Sequence, residues 1–467
     1  MIPTRALGTT RHVPAAMTAA LVTALCHSVS AAQTSQPPST EVVVARVDSM
    51  VRAYMAEKGP ASMSVAISRG SEMLVQRAWG MADIATTRPA TAATVYKIGS
   101  VSKQFTAVLI LKQVERGGLA LTDSIGRYLT AGLRPEWRSI TIEQLMNHTA
   151  GLQSDLKREG RPEEEVTPDT MIAWAARDTM AFAPGTRFAY SNVGYLLLGA
   201  LVEKVYGKPY GVVVRDEIVR PLGLRTLGWC TEPGKDSPVA TGYEYLGPGK
   251  LEQAPYAHPS KSLGGGGLCA SAGDLTAWNR ALHGGRVLSP ASYAAMTTPR
   301  APARGYGFGL QFTTTAWGAR GIYHLGGIMG FSAQNVWFPA ESLSVTILYN
   351  SIGNGFPTNF ALEIARASSA PAPQPAPSQP APSGALDAIA FANLTRDRAS
   401  GRVSTMNGAR ITLRAALGTG NGRYGPGTPH LRRVGLLPPF RRASGVSGLV
   451  PELGYDAGTE PTIRARW

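Results

Sequence analysis

Residues 98–105 read IGSVSKQF and place Ser100 and Lys103 three residues apart at the start of a long helical pattern. Apolar positions recur at helical spacing as far as Leu111, and Gly117 marks the end of the pattern. Side chains three residues apart on a helix share one face, so the hydroxyl and the amine should lie one turn from each other. A serine becomes a nucleophile beside a base, and burial would lower the pKa of Lys103 toward the neutral amine. The segment therefore predicts an activated serine.

The same spacing occurs a second time, at Ser154 and Lys157. Charged and helix-breaking residues follow this second pair as far as Pro162, so no buried helix would hold it in place. Chance alone gives about one Ser-x-x-Lys match in a chain with this serine and lysine content. The long amphipathic helix that follows Ser100 and Lys103 therefore selects that pair as the candidate site.

A second polar group, Tyr190 to Asn192, precedes a helical pattern over residues 193–205. In one interpretation Ser191 or Asn192 caps the helix and Tyr190 is a packed aromatic side chain. In the other, the Tyr190 hydroxyl lies opposite Lys103 and carries a proton, while the Asn192 amide binds the carbonyl of a substrate. The group alone favours the structural interpretation.

A third group begins at His324, on a predicted strand that is interrupted by Gly326, Gly327 and Gly330. Glycine inside a strand usually marks the close approach of another backbone. A second His-x-Gly pattern at residues 283–285 ends a predicted helix, so we interpret it as a helix terminus and not as a site. A single histidine in this setting is more often structural than functional, and only the order of the three groups favours a site.

The ends of the central region read as strands and its middle as helices. A helix is predicted from Thr40 to Gly59, and strands are predicted over residues 63–67, 73–78, 331–338 and 343–349. A strand-rich start and end around a helical middle predicts one sheet assembled from both ends, with a helical subdomain inserted between them. Two smaller features are predicted as well: a buried structural hydrogen bond at His148, and a tight turn lining the cleft at Gly264 to Gly267.

The three groups together, Ser-x-x-Lys, Tyr-x-Asn and His-x-Gly in that order, resemble the serine β-lactamase and penicillin-binding-protein superfamily. Residues 147–152 (NHTAGL), 306–310 (YGFGL) and 330–332 (GFS) are similar to phrases of its class C and peptidase branches. The resemblance extends from roughly Thr40 to Arg366. It implies an α/β (α+β) fold, in which a mixed, mainly antiparallel sheet is flanked by helices and carries an inserted all-helical lobe.

The resemblance also implies roles for individual residues. Ser100 would be the acylated nucleophile, and Lys103 and Tyr190 would act as general base and acid. The backbone amides of Ser100 and Gly327 would form an oxyanion hole, in which one donor is typically worth about 10² to 10³ in turnover. The expected substrate-binding residues are Asn192, His324 and Gly327.

The third motif separates the branches of the superfamily. Its β-lactamases have a lysine at the position of His324, whereas D-amino-acid peptidases and some esterases have a histidine. With a reference pKa of about 6.5, histidine is the weaker cation for a β-lactam carboxylate at neutral pH. We therefore expect a serine hydrolase that acts through an acyl-enzyme on peptide, D-amino-acid amide or ester substrates. The alternatives are a class C-type β-lactamase and a non-catalytic protein that binds peptidoglycan fragments or β-lactams.

Four segments of the chain differ in composition. Residues 1–32 combine arginines, an apolar stretch and small residues, which predicts a secretory signal peptide and a periplasmic or secreted protein. Residues 40–366 would form the hydrolase domain, and residues 367–384 a Pro/Ala-rich linker. Residues 385–467 would form a small basic region, either β-rich or disordered.

The charge and the cysteine content limit which partners and cofactors are expected. Of the net charge of +15, residues 385–467 contribute +7, from twelve arginines and five acidic residues. This distribution argues against a nucleic-acid partner and leaves open a contact between the basic region and anionic envelope polymers. The resemblance implies a small-molecule or peptide substrate. No cofactor is expected, and the sequence has no Cys/His spacing typical of a zinc site. Cys230 and Cys269 could form one disulfide in an oxidising compartment, which the sequence leaves open.

Overall fold

The computed structural model describes residues 37–155, 160–231, 238–247, 249–303, 305–353 and 359–369, together with the backbone of two short strands beyond them. The predicted signal peptide, the linker from residue 370 onward and most of the basic C-terminal region lie outside the described residues. Within the described part, no helix is both long and apolar enough to cross a membrane.

The described residues contain 15 strands and 11 α-helices. The strands are β1 (Ser62–Arg69), β2 (Glu72–Asp83), β3 (Arg88–Pro89), β4 (Tyr96–Lys97), β5 (Gly228–Trp229), β6 (Tyr243–Gly247), β7 (Lys250–Gln253), β8 (Leu268–Ala270), β9 (Gln311–Thr314), β10 (Arg320–Ile328), β11 (Phe331–Phe338), β12 (Leu343–Tyr349), β13 (Ser351–Ile352), β14 (Thr395–Arg396) and β15 (Val403–Ser404). The helices are α1 (Thr40–Lys58), α2 (Lys103–Glu115), α3 (Ile142–Met146), α4 (Pro168–Ala175), α5 (Asn192–Tyr206), α6 (Tyr210–Val214), α7 (Arg220–Leu222), α8 (Leu263–Gly266), α9 (Ala272–His283), α10 (Pro290–Thr297) and α11 (Phe360–Ser368).

The largest sheet joins the two ends of the hydrolase region. Its strands lie in the order β3-β2-β1-β12-β11-β10-β9, and each is antiparallel to its neighbours. Strand β1 pairs with β12, with Met63 opposite Tyr349, so the first and last long strands lie side by side at the centre. The prediction of one sheet built from both ends is confirmed, as is the α/β fold class.

Helices cover both faces of this sheet. On one face, α1 packs with α11 against the sheet, and Tyr54 stacks on Phe360 at a ring-centroid distance of 4.4 Å. The predicted helix spacing buries Val43, Val47 and Val51, and burial of a valine side chain contributes on the order of 1.5 kcal/mol or more. On the other face α9 packs against β1 and β12. Because both faces are covered, every residue of β12 is buried.

The helical lobe is inserted between the two halves of the sheet. It contains α2 to α7, and its central helix α5 buries ten consecutive residues, from Val193 to Val202. Two small three-stranded sheets, β13-β6-β7 and β4-β8-β5, connect the lobe to the main sheet. Helix α2 and the turn that precedes it therefore lie where the lobe meets strand β10. In the predicted C-terminal region, β14 pairs with β15.

Candidate active site

The candidate nucleophile lies in a tight turn that leads into a buried helix. Residues Gly99–Ser102 form one turn of 3-10 helix, and α2 begins at Lys103. Ser100 is half-buried, whereas Lys103 is fully buried. The prediction that both residues stand on one face at the start of a helix is confirmed, except that Ser100 belongs to the 3-10 turn and not to the α-helix.

The Lys103 amine has three polar neighbours. Its Nζ lies 3.0 Å from Ser100 Oγ, 2.8 Å from Asn192 Oδ1 and 2.9 Å from the carbonyl oxygen of Gly265. A neutral amine has two N–H donors and one lone pair. Because Asn192 and Gly265 offer only acceptors here, they take the two N–H groups, and the lone pair is left to face the Ser100 hydroxyl. The arrangement suits a lysine that accepts the serine proton.

Burial also favours the neutral form of this lysine. Desolvation lowers the pKa of Lys103 to about 7, although the negative charge of Asp155 acts in the opposite direction. At neutral pH a large fraction of Lys103 is therefore unprotonated and available as a base. An ordinary exposed lysine, with a pKa of about 10.4, would be almost entirely protonated.

Tyr190 and Asn192 both lie beside the lysine. Lys103 Nζ stands 4.9 Å from the centre of the Tyr190 ring. Burial raises the pKa of the Tyr190 hydroxyl, and a hydrogen bond with the Ser100 side chain partly offsets this increase. Ser191 accepts a hydrogen bond from Gly194 N at 3.1 Å and caps α5. The helix-cap interpretation thus applies to Ser191, while its two neighbours reach Ser100 and Lys103.

His324 is buried behind the site. Its Nε2 lies 2.9 Å from Tyr306 Oη and its Nδ1 lies 2.6 Å from the carbonyl oxygen of Leu325. Burial, followed by the charge of Lys103, lowers the pKa of His324 to about 3, so the ring is neutral at physiological pH. We expected a weak cation that lines the cleft. In the described residues His324 instead faces Tyr306, and its ring stands 6.2 Å from that of Tyr190.

The glycines after His324 allow strand β10 to lie directly against the nucleophile turn. A Cβ added to Gly326 would lie 2.0 Å from the carbonyl oxygen of Ile98, and one added to Gly99 would lie 2.9 Å from Gly327 N. Gly99 also has a φ of 49°, which L side chains rarely adopt. The predicted close approach is confirmed, and it brings the Gly327 backbone beside Ser100.

A cavity of about 470 Å³ opens at Ser100. Asn192 and Gly327 line it, as do two charged residues that the sequence did not single out, Asp155 and Lys261. Lys261 is 4% exposed. Hydrogen bonds with Arg161, and to a smaller extent the charge of Lys261, lower the pKa of Glu164. Asp155 lies inside the second Ser-x-x-Lys pattern, which was not expected to hold a nucleophile because no helical pattern follows it. Lys157 of that pattern lies outside the described residues.

Two hydrogen bonds fix the backbone just before Asp155. Ser191 Oγ donates to the carbonyl oxygen of Gln153 at 2.6 Å, and Asn192 N donates to that of Ser154 at 2.7 Å. The segment that carries Asp155 is thereby attached to the start of α5. No local sequence pattern indicates this attachment, because its two halves are about forty residues apart.

Two smaller predictions concern the surroundings of the site. His148 is buried, and its Nδ1 accepts a hydrogen bond from Ser191 N at 3.1 Å, as expected of a structural histidine. Residues Leu263–Gly266 form the single turn α8, which lines the cavity and supplies the Gly265 carbonyl to Lys103. Cys269 on β8 and Cys230, the residue after β5, are buried free thiols.

The fold and the site can be compared with known proteins. Residues 47–367 match the family model described as Beta-lactamase, which is well over half of the chain. The chain belongs to the beta-lactamase family. Its fold is like that of solved members of this family.

Individual relatives support the same placement. A D-aminopeptidase of Brucella canis is 29% identical over 306 residues, which is 64% of this chain and 57% of that protein. The chain thus matches only a little over half of that enzyme. An octameric penicillin-binding protein homologue from Pyrococcus abyssi has a TM-score of 0.62 at 28% identity, over 69% of this chain and 76% of its own. A D-amino acid amidase from Ochrobactrum anthropi SV3 has the same fold, with a TM-score of 0.62 at 22% identity, over 70% of this chain and 97% of its own.

Proposed function

We propose that this protein is a serine hydrolase that cleaves amides, esters or short peptides of D-amino acids that have a free amino group, through an acyl-enzyme at Ser100. One observation carries the proposal. Lys103 Nζ lies 3.0 Å from Ser100 Oγ, while two acceptors, Asn192 Oδ1 and the Gly265 carbonyl, occupy its N–H groups. This leaves the lone pair for the serine proton.

Acylation then follows from the positions of these groups. Lys103 takes the hydroxyl proton as Ser100 Oγ attacks the substrate carbonyl carbon, and the amides of Ser100 and Gly327 stabilise the oxyanion. The Tyr190 hydroxyl passes a proton to the leaving nitrogen or oxygen as its bond to carbon breaks. Lys103 then returns its proton to Tyr190. Water attacks the ester carbon and gives a proton to Lys103, which passes it to Ser100 Oγ as that oxygen leaves, and the free D-amino acid departs.

Asp155 supports a substrate with a positive charge next to the scissile carbonyl. Its carboxylate lines the same cavity as Ser100 and is close enough to Lys103 to raise the pKa of that amine. The ammonium group of an amino-acid amide lies one carbon from the carbonyl that Ser100 attacks, so it would enter the field of this carboxylate. The relatives named D-aminopeptidase and D-amino acid amidase are consistent with such a substrate.

A class C-type β-lactamase is the second candidate, and Lys261 is the observation that favours it. Its ammonium group lines the cavity and could receive a β-lactam carboxylate, a role that neutral His324 does not offer. We also propose that residues 1–32 direct export, as their composition indicates.

The test compares D- and L-phenylalanine amide, D-phenylalanine methyl ester, its N-acetyl derivative and a penicillin as substrates. We expect turnover of the D-amide and the free-amine ester, and loss of both in Ser100→Ala. Undiminished hydrolysis in Ser100→Ala would overturn the mechanism, and rapid penicillin turnover without amidase activity would favour the β-lactamase. A lasting penicillin adduct with no turnover of any substrate would favour a binding protein.

The Asp155→Asn variant tests the amino-group contact separately. We expect its KM for the free-amine ester to rise about 10- to 100-fold, as for loss of one charge-assisted hydrogen bond. Its KM for the N-acetyl ester should stay unchanged, because that substrate has no ammonium group. Equal changes with both esters would remove Asp155 from substrate recognition.

A further inference from the structure

His148 lies against the ring of Tyr190 and, among the described residues, forms no hydrogen bond with Ser100. It follows helix α3, and its backbone has a φ of 61°, a left-handed conformation that is costly for a residue with a side chain. Its Nε2 is buried and has no hydrogen-bond partner among the described residues. A strained backbone and a buried unsatisfied donor both lower stability, and such features persist where the surroundings require them.

The contacts of His148 bracket Tyr190 on both sides. The residue before the tyrosine, Ala189, donates its N–H to the His148 carbonyl oxygen at 3.0 Å. The residue after it, Ser191, donates its N–H to His148 Nδ1 at 3.1 Å. Between these two bonds the imidazole ring lies 4.3 Å from the Tyr190 ring. One residue thus fixes the tyrosine backbone at two points and its ring at a third.

The second of these bonds specifies the form of the imidazole. Because Nδ1 accepts a hydrogen bond, the ring must be neutral, with its proton on Nε2. Burial, and then repulsion from Lys103 and His324 in their protonated forms, lower the pKa of His148 well below its ordinary value, which keeps the ring neutral. Tyr306 meets the same ring edge-on at a centroid distance of 4.5 Å and also forms a hydrogen bond with His324. The third motif is thereby connected to the second.

We propose that His148 is the positioning residue of Tyr190, and that it holds the tyrosine hydroxyl at the distance from Ser100 that proton transfer requires. The inference rests on the proposed function, because it assumes that Tyr190 handles a proton. It concerns how the tyrosine is placed and adds no chemical step of its own. A histidine that only supported the fold would affect the reaction equally whether or not the tyrosine hydroxyl is present.

A double-mutant cycle separates these two roles. The rate constant of Ser100 labelling by a fluorophosphonate is measured for wild type, His148→Ala, Tyr190→Phe and the double variant. We expect His148→Ala to slow labelling on the order of 10- to 100-fold in the wild-type background, as for a misplaced catalytic group. In the Tyr190→Phe background the same change should cost less than about threefold, because the hydroxyl is already missing. Equal losses in the two backgrounds would overturn the proposal.

Two further variants guard against general loss of structure. His148→Asn keeps an acceptor for Ser191 N–H and tolerates the left-handed backbone, so it should recover part of the rate lost in His148→Ala. A rate no better than that of His148→Ala, at equal thermal stability, would contradict the proposal. His283→Ala removes another histidine, which is half-buried and stacks on Trp337 at 5.1 Å, and should show no coupling to Tyr190. Failure of wild type to react with the probe would instead count against the proposed function.

Discussion

Lys103 is the residue whose surroundings determine the pH dependence of the site. Its amine is fully buried and contacts Ser100, Asn192 and the Gly265 carbonyl. Burial and hydrogen bonding act on different properties here: burial lowers the pKa, and the two acceptors orient the lone pair. The Lys103 amine is therefore largely unprotonated near neutral pH, and its lone pair is directed at the Ser100 hydroxyl.

The rate of Ser100 labelling should rise with pH through a midpoint of about 7, the pKa of Lys103. The sign follows from the role of the base: below the midpoint the ammonium form has no lone pair, and above it the neutral amine accepts the serine proton. The measurement is the fluorophosphonate rate constant from about pH 5 to about pH 9. Because the Asp155 carboxylate raises the pKa of Lys103, Asp155→Asn should move the midpoint to lower pH. A rate that is flat or falls with pH would contradict this assignment.

Prediction from sequence succeeded for residues whose partners lie nearby along the chain. Ser100 and Lys103 are three residues apart, and helical periodicity alone places them together. The Gly265 carbonyl that orients Lys103 is 162 residues away, and a backbone acceptor leaves no mark in the sequence. Asp155 was missed for a related reason, since its position depends on hydrogen bonds to the start of α5.

At the scale of secondary-structure elements, the site depends on how closely strand β10 approaches the turn before α2. That approach is possible because Gly326 and Gly99 have no side chains where the two backbones meet. Sequence reasoning anticipated the close approach but also placed His324 on the cleft wall. The structure turns His324 toward Tyr306 instead, because the packing of a strand against its neighbours cannot be read from one motif.

Gly326→Ala should displace β10 from the nucleophile turn and slow Ser100 labelling. The added Cβ would lie 2.0 Å from the Ile98 carbonyl oxygen, so one of the two backbones must shift, and the Gly327 amide shifts with it. Loss of one oxyanion donor costs on the order of 10² to 10³ in rate. Gly228→Ala is the matched control, since a Cβ there meets nothing within 4 Å. Similar labelling rates for the two variants would show that β10 does not set this geometry.

For the molecule as a whole, the two buried cysteines report whether the fold is intact. A hydrogen bond between Cys230 and Cys269, followed by burial, raises the pKa of the Cys269 thiol well above its ordinary value. The thiolate is the reactive form of cysteine, so the raised pKa makes Cys269 unreactive, and burial keeps reagents away from both thiols in the folded protein.

We expect a maleimide to label neither cysteine in native buffer, and to label both at the urea concentration at which hydrolysis is lost. The experiment uses protein that lacks residues 1–32, so that Cys26 does not contribute. Labelling in native buffer would show that the β5–β8 pair opens without global unfolding. Absence of thiols in the unfolded protein without reductant would show that the pair had oxidised to a disulfide.

The pairing of β1 with β12 has a consequence for how the enzyme is made. The N–H of Ala61 donates to Ser351 Oγ across 290 residues of sequence, so the central sheet cannot close until nearly all of the hydrolase region has been synthesised. A nascent chain carries Ser100 and Lys103 long before it carries β10, whose backbone completes their site. Such non-local closure is slow compared with helix formation. We therefore expect Ser100 to become reactive only after β10 and β12 have been translated, and a chain that ends before β10 to lack this reactivity.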